Sequence, residues 1–210
     1  MTPRQRLEEG LATVGVAATE TALGRLEAWL ALHAQWSRKM NLTGTQDPVE
    51  LIERHLVDCA AIVPLLPAGA LADVGSGAGL PGLVVASLEP ERPMYLLEPL
   101  ERRAAFLRQA ALKLGLEAVQ VVTERCESWQ PPTALAGVLA RAVAPLARLV
   151  ELCAPLLNRG VPLLAMKGPG WREEVGALVA GVRVVELGRY RLPGRDHEHV
   201  VLSIEAEEVA

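Results

Sequence analysis

From residue 69 onward the chain alternates short apolar runs with longer stretches of helical periodicity, and this alternation constrains the fold more than any other feature. Strands are predicted at about 69–74, 93–98, 118–123, 136–141, 159–166, 182–188 and 198–205, with helices near 79–88, 101–114, 145–156 and 170–180. Runs such as "ALADV", "MYLLE" and "AVQVVT" are short, apolar and separated by helical segments. That pattern belongs to parallel strands covered by helices on both faces. The last two strands are joined only by "GRYRLPGRD", too short for a crossover helix, so they are expected to pair antiparallel.

Before residue 69 no strand is expected. The segment "ALGRLEAWLALHAQWSRKM" repeats apolar side chains at 23, 26 and 30 and at 29, 32 and 36, a helix with a broad buried face. "NLTGTQDP" breaks it, and Asp47 is placed to cap a following helix with Pro48 at its first position. That helix should carry Ile52, His55, Leu56, Cys59 and Ile62 on one side. The expected architecture is α/β: a doubly wound, mostly parallel, seven-stranded sheet (residues 67–210) under an N-terminal helical cap (residues 1–66). The 210 residues, half of them hydrophobic, suffice for one sizeable core.

Composition narrows the setting. No apolar run spans a bilayer and no charged-then-apolar leader opens the sequence, so a cytoplasmic protein without a membrane partner is expected. Cys59, Cys126 and Cys153 are far apart in sequence and form no metal or redox spacing. His197 and His199 share one side of a strand, but two ligands without a third do not make a metal site, and none is expected. The net charge of −4 argues against bulk affinity for nucleic acid. Local basic groups remain, including Arg102, Arg103 and Arg108 in one helix and Arg189, Arg191 and Arg195 near the end.

The densest chemical signal is "LADVGSGAGLPG" (71–82), an acid at a strand tip followed by Gly75, Gly77, Gly79 and Gly82. "GAGLPG" fits the dinucleotide fingerprint G-x-G-x-x-G, and Glu98 lies about 20 residues on, where an acid binds ribose hydroxyls. Asp73 distinguishes the candidate ligands. A pyrophosphate gains from helix-terminal N–H groups and loses beside a carboxylate. S-adenosylmethionine carries no phosphate and is cationic at its methionine end, so the same acid attracts it. The alternative, an NAD(P)-dependent oxidoreductase, keeps the glycines and Glu98 but leaves Asp73 unexplained.

With "NLTG", "HLVD", "DVGSGAGLPGL", "LLEPLERRAAFLRQ", "ARAVAPL" and "AMKGP" in order, the sequence resembles the glucose-inhibited division protein B family (GidB, also RsmG) over about residues 25–203. The resemblance implies a class I, Rossmann-like methyltransferase that uses S-adenosylmethionine to modify N7 of a guanine in 16S ribosomal RNA. It implies that Gly75, Gly77 and Leu80 line the methionine side, that Glu98 holds the ribose, and that Cys126 and Glu127 pass the adenine. It places Arg141 at the reaction cavity, with Asn41 and His55 helping to orient the base and Asp58 in the same cap motif. It brings Lys167, with Arg102 and Arg103, to RNA. The partner is then 16S rRNA or the assembling small subunit, and a monomer is expected.

Two departures concern substrate grip. Glu198 stands before His199 where the family has an arginine, and the sequence runs into the acidic "EAEEVA" where many relatives carry a basic tail. The chemistry itself asks little of the chain. Guanine N7 offers a lone pair and no proton, so attack on a sulfonium methyl needs alignment and no general base. "ARAVAPL" lacks the Asn/Asp-Pro-Pro-aromatic turn that receives an exocyclic amine, and no cysteine follows a proline as a covalent nucleophile would. A small-molecule methyltransferase and a non-catalytic RNA-binding module are the remaining alternatives. Stacking candidates are Trp36, Trp171 and Tyr190.

Overall fold

In a computed structural model that describes residues 1–178 and 180–207, all seven expected strands form a single sheet. They are β1 (Ala70–Val74), β2 (Met94–Leu97), β3 (Val119–Val122), β4 (Leu135–Arg141), β5 (Leu163–Lys167), β6 (Val182–Arg191) and β7 (Glu198–Ala206). Their order is β3-β2-β1-β4-β5-β7-β6. β1 to β5 pair parallel, whereas β7 is antiparallel to both β5 and β6. The antiparallel hairpin follows from its link, which is shorter than any crossover. β6 runs three residues beyond the expected end at 188, which draws Tyr190 and Arg191 into the hairpin.

Helices α1 (Pro3–Thr13) and α2 (Glu20–Trp36) open the cap. Thr2 and Thr19 cap them, each hydroxyl accepting a backbone N–H of the first turn. Asp47 caps α3 (Pro48–Leu51), with Pro48 at the first helical position as its sequence demands. The helix does not continue regularly. Residues Ile52–Leu56 form a π turn, followed by α4 (Val57–Ala60). Helices α5 (Gly82–Leu88), α6 (Glu101–Leu114), α7 (Leu146–Leu157) and α8 (Trp171–Gly176) follow β1, β2, β4 and β5.

The two faces of the sheet bury different clusters. On one, Leu71, Leu96, Leu139 and Leu164 pack with Leu26 and Trp29 of α2, Leu83 of α5 and Phe106 of α6. On the other, Ala72, Leu97, Val138 and Ala165 pack with Leu149, Cys153 and Leu156 of α7. The period of two along a strand thus assigns faces. Asp73 and Arg141 continue the cap-facing series, and Lys167 continues the opposite one.

Candidate active site

Asp73, Glu98 and Arg141 lie at or beside the carboxyl ends of the parallel strands β1, β2 and β4, where open α/β sheets bind ligands. Asp73, one residue from the end of β1, is wholly buried. Its Oδ2 accepts the Gly82 N–H at 3.0 Å, while Oδ1 is buried without a partner. Burial pushes this carboxyl up to about 7, against the pull of the Gly82 N–H. The acid therefore braces the turn from beneath the start of α5, and does not stand open beside it as its place in the sequence suggests.

The four glycines divide by task. A Cβ on Gly82 would lie 2.3 Å from Leu96 and 2.8 Å from Asp73 Oδ2, and one on Gly79 would lie 2.2 Å from Leu83. Gly82 thus lets α5 pack on the sheet, and Gly79, at φ +82°, makes room for Leu83 of the same helix. A Cβ on Gly77, at φ +54°, would meet only the Gly75 carbonyl at 3.7 Å, so its constraint is conformational alone. Leu80 sits beside the turn in the cap-side core with Ala78.

Glu98, 3 % exposed, joins the turn to the end of β2. Its Oε2 accepts the Gly77 N–H at 3.0 Å and its Oε1 the Leu100 N–H at 2.9 Å, with Arg103 at 3.9 Å. Each oxygen keeps a second lone pair for a diol. Behind the turn, the Trp29 indole N–H of the cap donates to the Ala78 carbonyl at 3.0 Å. A pocket of about 140 Å³ opens between Gly75, Leu97, Pro99, Cys126, Glu127 and Val143. Cys126 is 4 % exposed with its Sγ 3.9 Å from that of Cys153. The adenine residues implied by the resemblance thus do adjoin Gly75.

Across the sheet end lies a half-buried polar network around buried Asp58. Arg141 Nε donates to Asp58 Oδ2 at 2.6 Å, and Nη2 donates to the Arg54 carbonyl at 2.8 Å and to His55 Nδ1 at 3.2 Å. Tyr190 donates to the other Asp58 oxygen at 2.6 Å, and His199 Nδ1 approaches it at 3.5 Å. Burial, reinforced by the Arg141 charge, lowers His55 to about 4, so the ring is neutral and accepts from the guanidinium. Burial also lowers His199, and raises Tyr190. Nη1 of Arg141 has no partner among the described residues.

Two local distortions serve this network. The π turn contains Arg54 and His55 and directs that carbonyl and ring toward Arg141; π turns recur at functional sites. Immediately after Arg141, Ala142 has φ +54°, a left-handed conformation that costs a side-chain-bearing residue about 1–2 kcal/mol. Neither distortion has a sequence signal. Tyr190 and His199 were missed as Asp58 partners for a different reason: they face each other across β6 and β7, a register unreadable until the turn is located.

The remaining expected residues spread out. Lys167 points to the opposite face, where its Nζ donates to Glu174 Oε2 at 2.7 Å and the Ala144 carbonyl at 3.0 Å. With its side chain 12 % exposed, it ties β5 to α8 and does not reach outward for phosphate. Asn41 is exposed, and the Arg102 guanidinium is tied to the Lys39 carbonyl at 3.2 Å. Trp36 packs edge-on against Phe106 and donates to Gln109, so it offers no stacking platform. His197 stacks on His199 at 5.2 Å.

A family model described as rRNA small subunit methyltransferase G matches residues 22–198. The chain belongs to that family. Its sequence is 45 % identical over 197 residues to the ribosomal RNA small subunit methyltransferase G of Halorhodospira halophila, covering 92 % of this chain and 94 % of that one. It is 40 % identical to the protein of the same name from Chromohalobacter salexigens, covering 97 % and 99 %. The fold is shared with a SAM-dependent methyltransferase from Aquifex aeolicus at TM-score 0.51 and 21 % identity, over 75 % of this chain and 93 % of that one. It is shared also with a mutant of MtNAS in complex with S-adenosylmethionine, at TM-score 0.53 and 15 % identity, over 89 % and 78 %.

As a member of the rRNA small subunit methyltransferase G family, the chain is a class I methyltransferase that depends on S-adenosylmethionine, and the nicotinamide alternative is not supported. The site fits that donor. The Gly75 pocket suits a flat base, Glu98 retains acceptor capacity for a diol, and the partnerless Asp73 oxygen lies close under the glycine turn.

Proposed function

We propose that this chain transfers the methyl group of S-adenosylmethionine to N7 of a guanine in 16S ribosomal RNA. It acts in the cytoplasm, as a monomer, on free RNA or on an assembling small subunit. Beyond family membership, the supporting observation is that, among the described residues, neither side chain that bonds Arg141 directly is free to remove a proton. His55 is held neutral as an acceptor for Arg141, and both Asp58 oxygens are engaged by donors. Such a site suits an acceptor atom that carries no proton.

When bound, S-adenosylmethionine supplies a methyl group on a cationic sulfonium. The chain's part is alignment and electrostatics. Glu98, steadied by the Gly77 N–H, holds the ribose end, and the Cys126–Glu127 segment borders the base. The Asp73 carboxyl, beneath the turn, accepts the Gly82 N–H and so fixes the glycine backbone that faces the donor. Arg141, fixed on two sides by Asp58 and the Arg54 carbonyl, has Nη1 left to donate to guanine O6, which leaves N7 unblocked. Asn41 stands exposed on the cap side of this region and is assigned to the acceptor nucleotide.

The test is to map N7-methylguanine in 16S rRNA from cells with and without the protein, and to restore the mark with purified protein and donor. An unchanged methylation map on removal of the protein would refute the proposal.

A further inference from the structure

A cleft of about 500 Å³ lies between α8 and the β6–β7 hairpin, outside the cofactor pocket. Its position follows from register. Lys167 and Arg189 both pair with Val200, and Tyr190 pairs with His199, so the cleft sits at the same sheet edge as Arg141. Its walls are stacked: the Arg172 guanidinium lies 4.4 Å over the Trp171 ring, and His197 stacks on His199. His199 also closes the cleft toward the reaction site, through Asp58 to Arg141, and its Nε2 is buried without a partner.

The charges in this cleft are masked. Three guanidiniums (Arg172, Arg189, Arg191) meet three carboxylates (Glu173, Asp196, Glu198), so there is no long-range field to attract a polyanion. Glu198 masks Arg191 at 3.2 Å and lies 3.5 Å from Arg189, whose guanidinium Glu186 holds at 2.7 and 2.8 Å. Flat cationic and aromatic surfaces beside paired charges suit an unstacked nucleotide, whose base stacks and whose edge and phosphate accept hydrogen bonds.

We infer that this cleft holds a single-stranded ribosomal RNA nucleotide flanking the methylated guanine, with Glu198 restraining affinity by occupying Arg191. The inference rests on the proposed rRNA substrate.

The test measures binding of the full chain to an unmethylated 16S rRNA transcript, alongside methyl transfer and S-adenosylmethionine calorimetry. Glu198→Gln frees about one phosphate contact, which on a single strand tightens binding about fivefold at 0.1 M salt and steepens the salt slope by about 0.7. The double variant Arg189→Ser, Arg191→Ser weakens binding by a similar factor, with donor affinity unchanged in both. Transcript affinity equal to wild type in both variants, while wild type still methylates the RNA, overturns the inference alone. So does a loss confined to binding of assembled subunits with protein-free RNA unaffected, which would make the cleft's partner a protein. Failure of the wild-type protein to methylate either transcript or subunit overturns the function proposal and this inference with it.

Discussion

Arg141 at the end of β4 and Asp58 in α4 form an ion pair at 2.6 Å, 83 residues apart in sequence, that joins the helical cap to the catalytic edge of the sheet. Both side chains are nearly buried, 13 % and 8 % exposed, so neither charge has water to replace its partner. Removal of one member of such a pair costs about 3–5 kcal/mol, mostly because the other is stranded. Asp58→Ala is expected to lose stability on that scale by denaturant unfolding. Arg141→Lys keeps the charge but cannot hold Asp58, the Arg54 carbonyl and a base together. Its kcat is expected to fall about 10²-fold through misalignment, with a much smaller change in donor affinity.

The glycine turn predicts two separable defects. Gly82→Ala puts a methyl group into Leu96 and Asp73, an overpacking expected to cost about 1–3 kcal/mol in thermal or chemical unfolding. Gly77→Val meets no side chain, but it forces a branched residue to φ +54° beside Glu98. It should fold, with S-adenosylmethionine binding abolished in calorimetry. Normal donor affinity in that variant would remove the turn from the site.

Ala142 offers a test of strain. Glycine adopts its left-handed backbone freely, so Ala142→Gly is expected to stabilise the fold by about 0.5–1 kcal/mol. The same change loosens the residue next to Arg141, and kcat should fall as stability rises. A rise in both would mean that the strain has no part in holding the guanidinium.

One buried group and one half-buried group give the stability profile opposing slopes. The folded chain keeps a proton on Asp73 up to about pH 7, whereas the unfolded chain releases it near the ordinary carboxylate value, about 4. Stability from this group therefore falls as pH rises from about 4 to 7. His55, lowered to about 4, refuses a proton that the unfolded chain accepts below about 6.5. Its contribution is complete above that value and is lost as pH falls toward 4. Relative to wild type, Asp73→Asn should gain stability toward neutral pH, and His55→Gln should gain it toward acid pH. Unfolding midpoints measured across about pH 4–8 check both signs.

Lys167 separates a structural role from an RNA role. Its amine is held by Glu174 and the Ala144 carbonyl, and the same Glu174 oxygen accepts the Leu146 N–H that opens α7. Lys167→Met is expected to cost about 0.5–1.5 kcal/mol of stability by removing its hydrogen bonds to half-buried Glu174 and to the Ala144 carbonyl. The salt dependence of RNA binding should stay as in wild type. A shallower salt slope would return this lysine to the RNA surface.

Patterns that repeat along the chain were legible before any coordinates. Apolar periodicity located all seven strands and the major helices, because burial on one or two faces imposes a period that the residues must follow. The short hairpin link dictated the antiparallel pair, and the spacing from Asp73 through Gly77 to Glu98 marked the turn that Glu98 joins to the end of β2. What local pattern cannot encode is which distant side chains meet. Period-two alternation sent Arg141 and Lys167 to opposite faces although both end neighbouring strands. The π turn and the hairpin register then brought His55, Asp58, Tyr190 and His199 to Arg141. Those contacts depend on how the cap docks and where the hairpin turns, and both are settled by close packing of the whole core rather than by any stretch of sequence.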